Sequence, residues 1–181
     1  MKIVVTGIAG LLGSHLAERL IADGHQVIGV DLLITGDIKN IPHGCVGMYY
    51  LDTADTMSMQ AVLNKHRPEI VYHLACTAYE GLSVFSPAFV VQNTLQNTLG
   101  ILSASVETGV RRFIFTSSMS RYGAQQPPFT ENMEPRPEDP YGVAKVAAET
   151  IIRQMAETHG IEYAIAVPHN IIGPKQKYDD P

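Results

Sequence analysis

Three glycines near the start of the sequence constrain the fold more than any other feature. Gly7, Gly10 and Gly13 lie in the segment TGIAGLLG, between an apolar run at residues 2–6 and helical spacing at residues 11–23. In such a position the first glycine permits a tight turn and the second lets the backbone approach a pyrophosphate. The third allows close packing of helix on strand. The pattern therefore predicts a strand, a phosphate-binding turn and a helix in succession.

The rest of the chain alternates short β-rich runs with longer helical patterns. Apolar runs predict five further strands, at residues 26–31, 46–51, 69–74, 112–117 and 161–167. Helical spacing predicts three further helices, at residues 56–66, 87–108 and 140–159. Because strands with near-continuous apolar sequence are buried on both faces, we expect an α/β fold of the doubly wound type, a Rossmann fold with helices on both faces of a parallel sheet.

Two carboxylates follow predicted strands. Asp31 lies at the end of the second strand, 18 residues after Gly13. At that place a carboxylate accepts hydrogen bonds from the ribose of an adenosine and repels a 2′-phosphate, which favours NAD over NADP as the cofactor. The alternative is that the glycines only form a turn and that the Asp at the strand end has no role in binding a cofactor. Asp52, after the third strand, is a candidate for contact with the adenine, or a turn residue.

A phenol and an ammonium share one face of the last predicted helix, since Tyr141 and Lys145 are four residues apart. A tyrosine with a pKa of about 10 is a poor base near neutrality. A nearby ammonium and a positive nicotinamide ring would lower that pKa. Ser117 and Ser118 fall at the carboxyl end of the fifth strand, where open α/β sheets bind ligands. Each feature alone is also typical of an exposed pair or of a helix cap.

Together, these motifs resemble the extended short-chain dehydrogenase/reductase family, and within it the NAD-dependent epimerases and dehydratases of the UDP-glucose 4-epimerase branch. TGIAGLLG, Asp31, TSSMSRYG (residues 116–123) and PYGVAK (residues 140–145) occur in the family's order and approximate spacing. The resemblance implies that Ser118, Tyr141 and Lys145 are catalytic. The implied reaction inverts a UDP-hexose at C4 through a transient 4-keto intermediate.

The resemblance also implies two sets of binding residues. For the substrate these are Ser118, Tyr141 and Asn170, the last in the segment PHNIIGP. The implied NAD contacts come from the glycine turn and the strand ends: Gly7, Ala9, Gly10, Leu11, Leu12, Gly13, Asp31, Leu32, Asp52, Thr53, Leu74, Ala75, Thr77, Asn93, Ser117, Tyr141, Lys145 and Pro168.

The chain departs from the family pattern in ways that bear on the chemistry. Residues 32–36 read LLITG where the family usually has NLSTG, and a helix motif is shifted so that Asn93 and Thr94 compete for one family position. Met119 and Ser120 stand where dehydratases of the family carry Asp-Glu, and neither is a useful acid or base. Epimerisation needs no further ionisable group and is the reaction we expect. A reductase or dehydratase of the same family, or a non-catalytic NAD-binding protein, remains as an alternative.

Charge and composition favour a small-molecule enzyme. The formal net charge is −5 with scattered Lys and Arg, which argues against nucleic-acid and membrane-surface partners. Two cysteines and seven histidines show no metal-ligand spacing. With no signal peptide or membrane-length apolar run, we expect a cytoplasmic protein.

The resemblance finally bears on domain organisation and assembly. It implies an NAD-binding domain over residues 1–181. Within it, residues 167–181 begin a substrate-binding region that the chain leaves incomplete. It also implies a homodimer formed through the two long helices predicted at residues 87–108 and 140–159.

Overall fold

The computed structural model describes residues 1–177. Six strands form one parallel sheet in the order β3-β2-β1-β4-β5-β6. The order reverses between β1 and β4, which opens a crevice at the carboxyl ends of these strands. Their bounds are β1 Lys2–Thr6, β2 Gln26–Val30, β3 Gly47–Tyr49, β4 Ile70–His73, β5 Arg112–Thr116 and β6 Glu162–Ala166.

Helices cover both faces of the sheet, as the sequence predicts. They are α1 Leu11–Ala22, α2 Thr56–His66, α3 Glu80–Ser83, α4 Pro87–Val91, α5 Asn97–Glu107 and α6 Pro140–His159. Successive residues of β1 point to opposite sides. Ile3 and Val5 pack in the core under α1, whereas Val4 packs in a larger core under α2, α5 and α6. The Rossmann prediction is therefore confirmed.

The predicted helix at residues 87–108 is interrupted. Between α4 and α5 the backbone forms a π-helical segment, Gln92–Gln96. Two side chains bond back to helix carbonyls here: Asn93 Nδ2 donates to the Phe89 oxygen at 2.9 Å, and Thr98 Oγ1 donates to the Thr94 oxygen at 2.7 Å. Such bonds compete with the regular backbone ladder, and π-helical turns of this kind often lie at functional sites.

Smaller differences concern ends and short elements. The third strand is expected over six residues but pairs with β2 only at Gly47–Tyr49, where it forms an edge of the sheet. The short helix α3 and two 3₁₀ turns, Ile38–Asn40 and Met119–Tyr122, had no sequence prediction. These turns are too short to show a hydrophobic period.

After β6 the chain returns to α1. His15 Nε2 lies 3.0 Å from the Pro174 oxygen, and the Lys175 ammonium lies 2.5 Å from the Glu18 carboxylate. Asn40 Nδ2 donates to the Lys175 oxygen at 3.2 Å. These contacts hold the segment after β6 beside the glycine turn. Among the helices of residues 1–177, none combines the length and the apolar character that crossing a bilayer requires.

Candidate active site

The glycine turn forms a cradle at the crevice. Gly7 has φ +70°, and a Cβ there would lie 2.8 Å from the Ala75 nitrogen. A Cβ on Gly13 would lie 2.0 Å from the Gly7 oxygen, so these two positions admit no side chain. A Cβ on Gly10 would meet only the Gly7 oxygen, at 3.3 Å. Space therefore opens beside Gly10, where α1 begins.

The first turn of α1 suits an anion. No side chain among residues 1–177 caps the helix at Gly10. The first-turn N–H groups, which include those of Leu11 and Leu12, have no partner within the helix, and they carry the positive end of its dipole. A pyrophosphate bound here would satisfy those donors. The turn therefore fits a dinucleotide such as NAD.

Asp31 ties this turn to the end of β2. Its Oδ2 accepts a hydrogen bond from the Ala9 nitrogen at 2.8 Å, and its Oδ1 accepts one from the Leu33 nitrogen at 2.8 Å. A carboxylate has about four acceptor sites, so lone pairs remain for a ribose hydroxyl. The side chain is buried, while the neighbouring Leu32 is exposed. Asp31 thus holds the shape of the cradle, and its contact with a ribose stays a prediction.

Ser118, Tyr141 and Lys145 converge at the carboxyl end of β5. Ser118 caps the 3₁₀ turn Met119–Tyr122, and its Oγ accepts a hydrogen bond from the Ser120 nitrogen at 3.1 Å. The Tyr141 phenol hydrogen-bonds to Ser118. The Lys145 ammonium lies 5.6 Å from the centre of the Tyr141 ring. All three side chains are buried, so the sequence-predicted set shares one site.

The acid–base balance of Tyr141 differs from the sequence expectation. Burial raises the pKa of the phenol above its usual value, and the nearby Cys76 and Glu80 raise it further. The hydrogen bond from Ser118 acts in the opposite direction on this pKa. Lys145 was expected to lower it, but its ammonium lies 5.6 Å from the centre of the Tyr141 ring and donates to the Thr116 oxygen at 2.7 Å. In the chain alone, the phenol is neutral at pH 7.

The structure brings a further carboxylate to the site. Glu80, on α3, accepts a hydrogen bond from the Ser120 hydroxyl, whose Oγ lies 2.9 Å from the Ser118 Oγ. The Ser118 hydroxyl therefore lies between the Ser120 hydroxyl and the Tyr141 phenol. A chain of hydrogen bonds thus links Tyr141 through Ser118 and Ser120 to Glu80. Sequence reasoning missed this carboxylate, although its place just after β4 was the available clue.

A buried ion pair holds the segment after β5 against α6. Glu149 is fully buried, its carboxylate lies 3.3 Å from the Arg121 guanidinium, and it also pairs with the half-exposed Arg153. The Ser117 hydroxyl donates to Glu149 at 2.5 Å. Ser117 was predicted to contact NAD, but its hydroxyl is engaged in the interior. Glu149 was also missed; its four-residue spacing from Lys145 on α6 was the clue.

The remaining predicted NAD residues lie around the crevice. Asp52 Oδ1 accepts a hydrogen bond from the Ala54 nitrogen at 2.9 Å, the geometry of a turn residue. The nitrogens of Leu74 and Ala75 donate to Thr6 Oγ1, each at 3.2 Å, so the backbone after β4 runs beside Gly7.

Other predicted residues are buried or lie at the edge of the described region. Thr77 is buried, as are Thr53 and Thr94, whose hydroxyl oxygens have no hydrogen-bond partner within residues 1–177. Pro168 is half-buried and Asn170 is exposed, both just after β6. Their roles toward cofactor and sugar stay predictions.

Comparison with known proteins decides the family. Residues 3–181 match the NAD-dependent epimerase/dehydratase family. The chain belongs to this family. Its members include the UDP-glucose 4-epimerase of Mycolicibacterium smegmatis, which is 33% identical over 97% of this chain and 58% of its own length. The UDP-arabinose 4-epimerase 1 of Arabidopsis thaliana is 31% identical over 94% of this chain and 43% of its own length.

Solved structures of epimerases share the fold closely. The UDP-glucose 4-epimerase of Thermotoga maritima, determined with UDP-glucose, superposes with a TM-score of 0.94 at 36% sequence identity. The match covers 98% of this chain and 58% of the Thermotoga chain. The UDP-glucose 4-epimerase of Thermus thermophilus, determined with NAD, superposes with a TM-score of 0.93 at 30% sequence identity, and the match covers the same shares of the two chains. The chain thus spans about half the length of the relatives it matches.

Proposed function

We propose that the protein carrying this chain is an NAD-dependent UDP-sugar 4-epimerase. The observation that carries the proposal is the convergence of Ser118, Tyr141 and Lys145 beside an anion-binding glycine turn. Support comes from the relatives, which are named as UDP-glucose and UDP-arabinose 4-epimerases. The proposal concerns the whole protein, because the chain covers 58% of the first of these relatives.

Each part of the site has a role in the proposed binding of NAD. The turn at Gly7, Gly10 and Gly13 receives the pyrophosphate, and Asp31 accepts from the adenosine ribose. Lys145 contacts the nicotinamide ribose. When bound, NAD supplies the acceptor and donor of a hydride. Its positive ring also opposes the effect of burial on Tyr141 and favours the phenolate.

The chain's own residues handle the sugar and its proton. Ser118 holds O4 beside the phenol, where the two hydroxyl groups already meet. Tyr141 takes the proton from O4 as C4 is oxidised, and it returns that proton when C4 is reduced on the opposite face. Asn170 contacts the sugar from the segment after β6. Because the proton is taken and returned by one group, each turnover leaves the site as it began.

A reductase of the same family is a second candidate, favoured by one observation. Reduction of a ketone consumes a proton that the solvent must replace. The chain from Tyr141 through Ser118 and Ser120 reaches the exposed carboxylate of Glu80, which could pass such a proton inward. A reductase consumes one NADH for each product molecule, whereas an epimerase consumes none, so the absorbance of NADH separates the two.

Replacing the phenol tests the proposed function. Tyr141→Phe should lower kcat for UDP-galactose by about 10²–10⁴-fold, the usual contribution of a positioned acid–base group. Tyr163→Phe, which alters an exposed tyrosine on β6, is the matched control and should leave kcat unchanged. The assay follows UDP-glucose formation by the NAD-loaded protein. Undiminished turnover by Tyr141→Phe would reject the assignment.

We also propose that the protein forms a homodimer. The helices α4 and α6 pack together and expose Phe89 and Val143, and Phe85 next to α4 is exposed as well. Apolar side chains grouped on one surface are typical of an interface. The family resemblance assigns this surface to a second copy of the chain.

A further inference from the structure

Glu80 is a charged group of the site that the proposed epimerisation does not use. Its carboxylate is exposed at the rim, yet a hydrogen bond from Ser120 fixes its position. Ser120 is in turn bonded to Ser118, which holds the Tyr141 phenol. A negative charge therefore stands two hydrogen bonds away from the hydroxyl that would receive O4 of a sugar.

This distance puts the carboxylate next to the substituents that flank C4. Two hydrogen bonds laid end to end span about 5 Å. A sugar whose O4 is held between Ser118 and Tyr141 has its neighbouring groups, on C3 and on C5, within that range. Because a 4-epimerase must present both faces of C4, the sugar turns over and its two sides change places. A group attached to C5 can therefore reach the surroundings of Glu80 in one of the two poses.

Among residues 1–177, no Lys, Arg or His forms an ion pair with Glu80. The Lys145 ammonium is bonded to the Thr116 oxygen, and the Arg121 guanidinium is paired with the buried Glu149. A hydroxymethyl group or a hydrogen on C5 would meet Glu80 as a hydrogen-bond donor or a neutral neighbour. A carboxylate on C5 would meet a like charge.

We propose that Glu80 determines substrate charge at this site, so that the enzyme accepts UDP-sugars with a neutral sugar ring and discriminates against UDP-uronic acids. The inference rests on the proposed function and names the substrate class within it. Two unit charges about 5 Å apart at a partly hydrated surface repel enough to change affinity by about fivefold or more. Because the carboxylate is exposed, this repulsion should weaken at high salt.

The test compares two substrates that differ only at C6. Glu80→Gln keeps an acceptor oxygen for Ser120 and removes the charge. In the NAD-loaded whole protein, kcat/KM is measured for UDP-galactose and UDP-galacturonate with wild type and Glu80→Gln. The wild type should prefer UDP-galactose, and the ratio of the two values should move toward UDP-galacturonate by about fivefold or more in the variant. Glu131→Gln, which removes the same charge from an exposed loop position, should leave the ratio as in wild type.

Binding supplies a readout that does not depend on turnover. The Kd of each UDP-sugar, measured by calorimetry at low and high salt, should show the same shift in Glu80→Gln and a smaller wild-type preference at high salt. An unchanged Kd ratio in Glu80→Gln, or equal affinity of wild type for both sugars, overturns the role of Glu80. Failure of wild type to epimerise any UDP-sugar instead rejects the proposed function, while the Kd ratios still decide the role of Glu80.

Discussion

His73, at the end of β4, is a buried ionisable group beside the crevice. Its Nδ1 lies 2.7 Å from Thr6 Oγ1, and its Nε2 lies 3.1 Å from Thr98 Oγ1. Because Thr98 donates its proton to the Thr94 oxygen, Thr98 must accept from Nε2–H, and Nδ1 accepts from Thr6. The ring is therefore neutral and of one tautomer. Burial, assisted by the charge of Lys145, lowers the pKa of His73 to about 3.

This burial predicts a specific loss of stability in acid. The pKa of His73 is depressed in the folded state, so its contribution is fully present above about pH 6.5 and is lost as the pH falls toward about 3. The shift corresponds to as much as about 5 kcal/mol of unfolding free energy. Urea unfolding across this range should show a shallower acid loss for His73→Gln than for wild type.

The matched control is His43→Gln, at an exposed histidine. Its stability should follow the wild-type pH curve throughout. If His73→Gln also follows the wild-type curve, His73 is not the group that charges on acid unfolding.

For single residues, the sequence predicts best those whose partners lie close along the chain or at the end of the same element. Tyr141 and Lys145 share a helix face, and Asp31 follows a strand, so their spacing along the chain indicates their proximity in space. Glu80 reaches Ser120 across 40 positions of sequence. Such a contact depends on the packing of β4 beside β5, and no local pattern encodes it.

Helix α6 is the element that organises the site. Tyr141, Lys145 and Glu149 follow one another at four-residue intervals, so all three face the sheet. The first bonds to Ser118, the second to the Thr116 oxygen, and the third to Ser117 and Arg121. One face of α6 is therefore bonded, at three successive turns, to the end of β5 and to the residues that follow it.

The contact nearest the C-terminal end of α6 is the buried ion pair of Glu149 with Arg121. Breaking this pair should lower the free energy of unfolding substantially. Glu149→Gln leaves the Arg121 charge buried without a partner, which typically costs about 3–5 kcal/mol. Replacing both residues together, as Arg121→Leu with Glu149→Leu, should recover most of that loss, because no charge then stays unpaired. Urea unfolding of the three proteins measures the difference.

Arg153→Ala is the control, since this arginine pairs with the same carboxylate from a half-exposed position. It should cost less than about 1 kcal/mol. A single Glu149→Gln variant as stable as Arg153→Ala would show that the buried pair does not hold the segment after β5.

The two long predicted helices show what sequence conveys about elements. The bounds of α6 were predicted without error, because Asp139 caps its start, Pro140 opens it and Gly160, at φ +68°, ends it. The helix expected at residues 87–108 has clear ends but a π-helical interior. Side-chain hydrogen bonds of Asn93 and Thr98 accompany that interruption, and a hydrophobic period does not report them.

At the scale of the whole molecule, the strand order creates the site. Because β1 lies between β2 and β4, the glycine turn after β1 stands beside both Asp31 and the segment after β4. Because β5 follows β4, Ser118 and Glu80 meet at the same edge. The alternation of strands and helices predicted this architecture, and the right-handed crossover rule leaves few other arrangements.

In the proposed reaction, C4 of a sugar is oxidised by loss of a hydride and reduced by return of the same hydride, which never leaves the site. The most direct measurement uses UDP-galactose with deuterium at C4, incubated with the NAD-loaded protein in ordinary water, and NMR of the product. The proposed reaction should give UDP-glucose that retains deuterium at C4. Product with hydrogen at C4, which would mean exchange of that position with solvent, would contradict it, as would the absence of any C4 epimer.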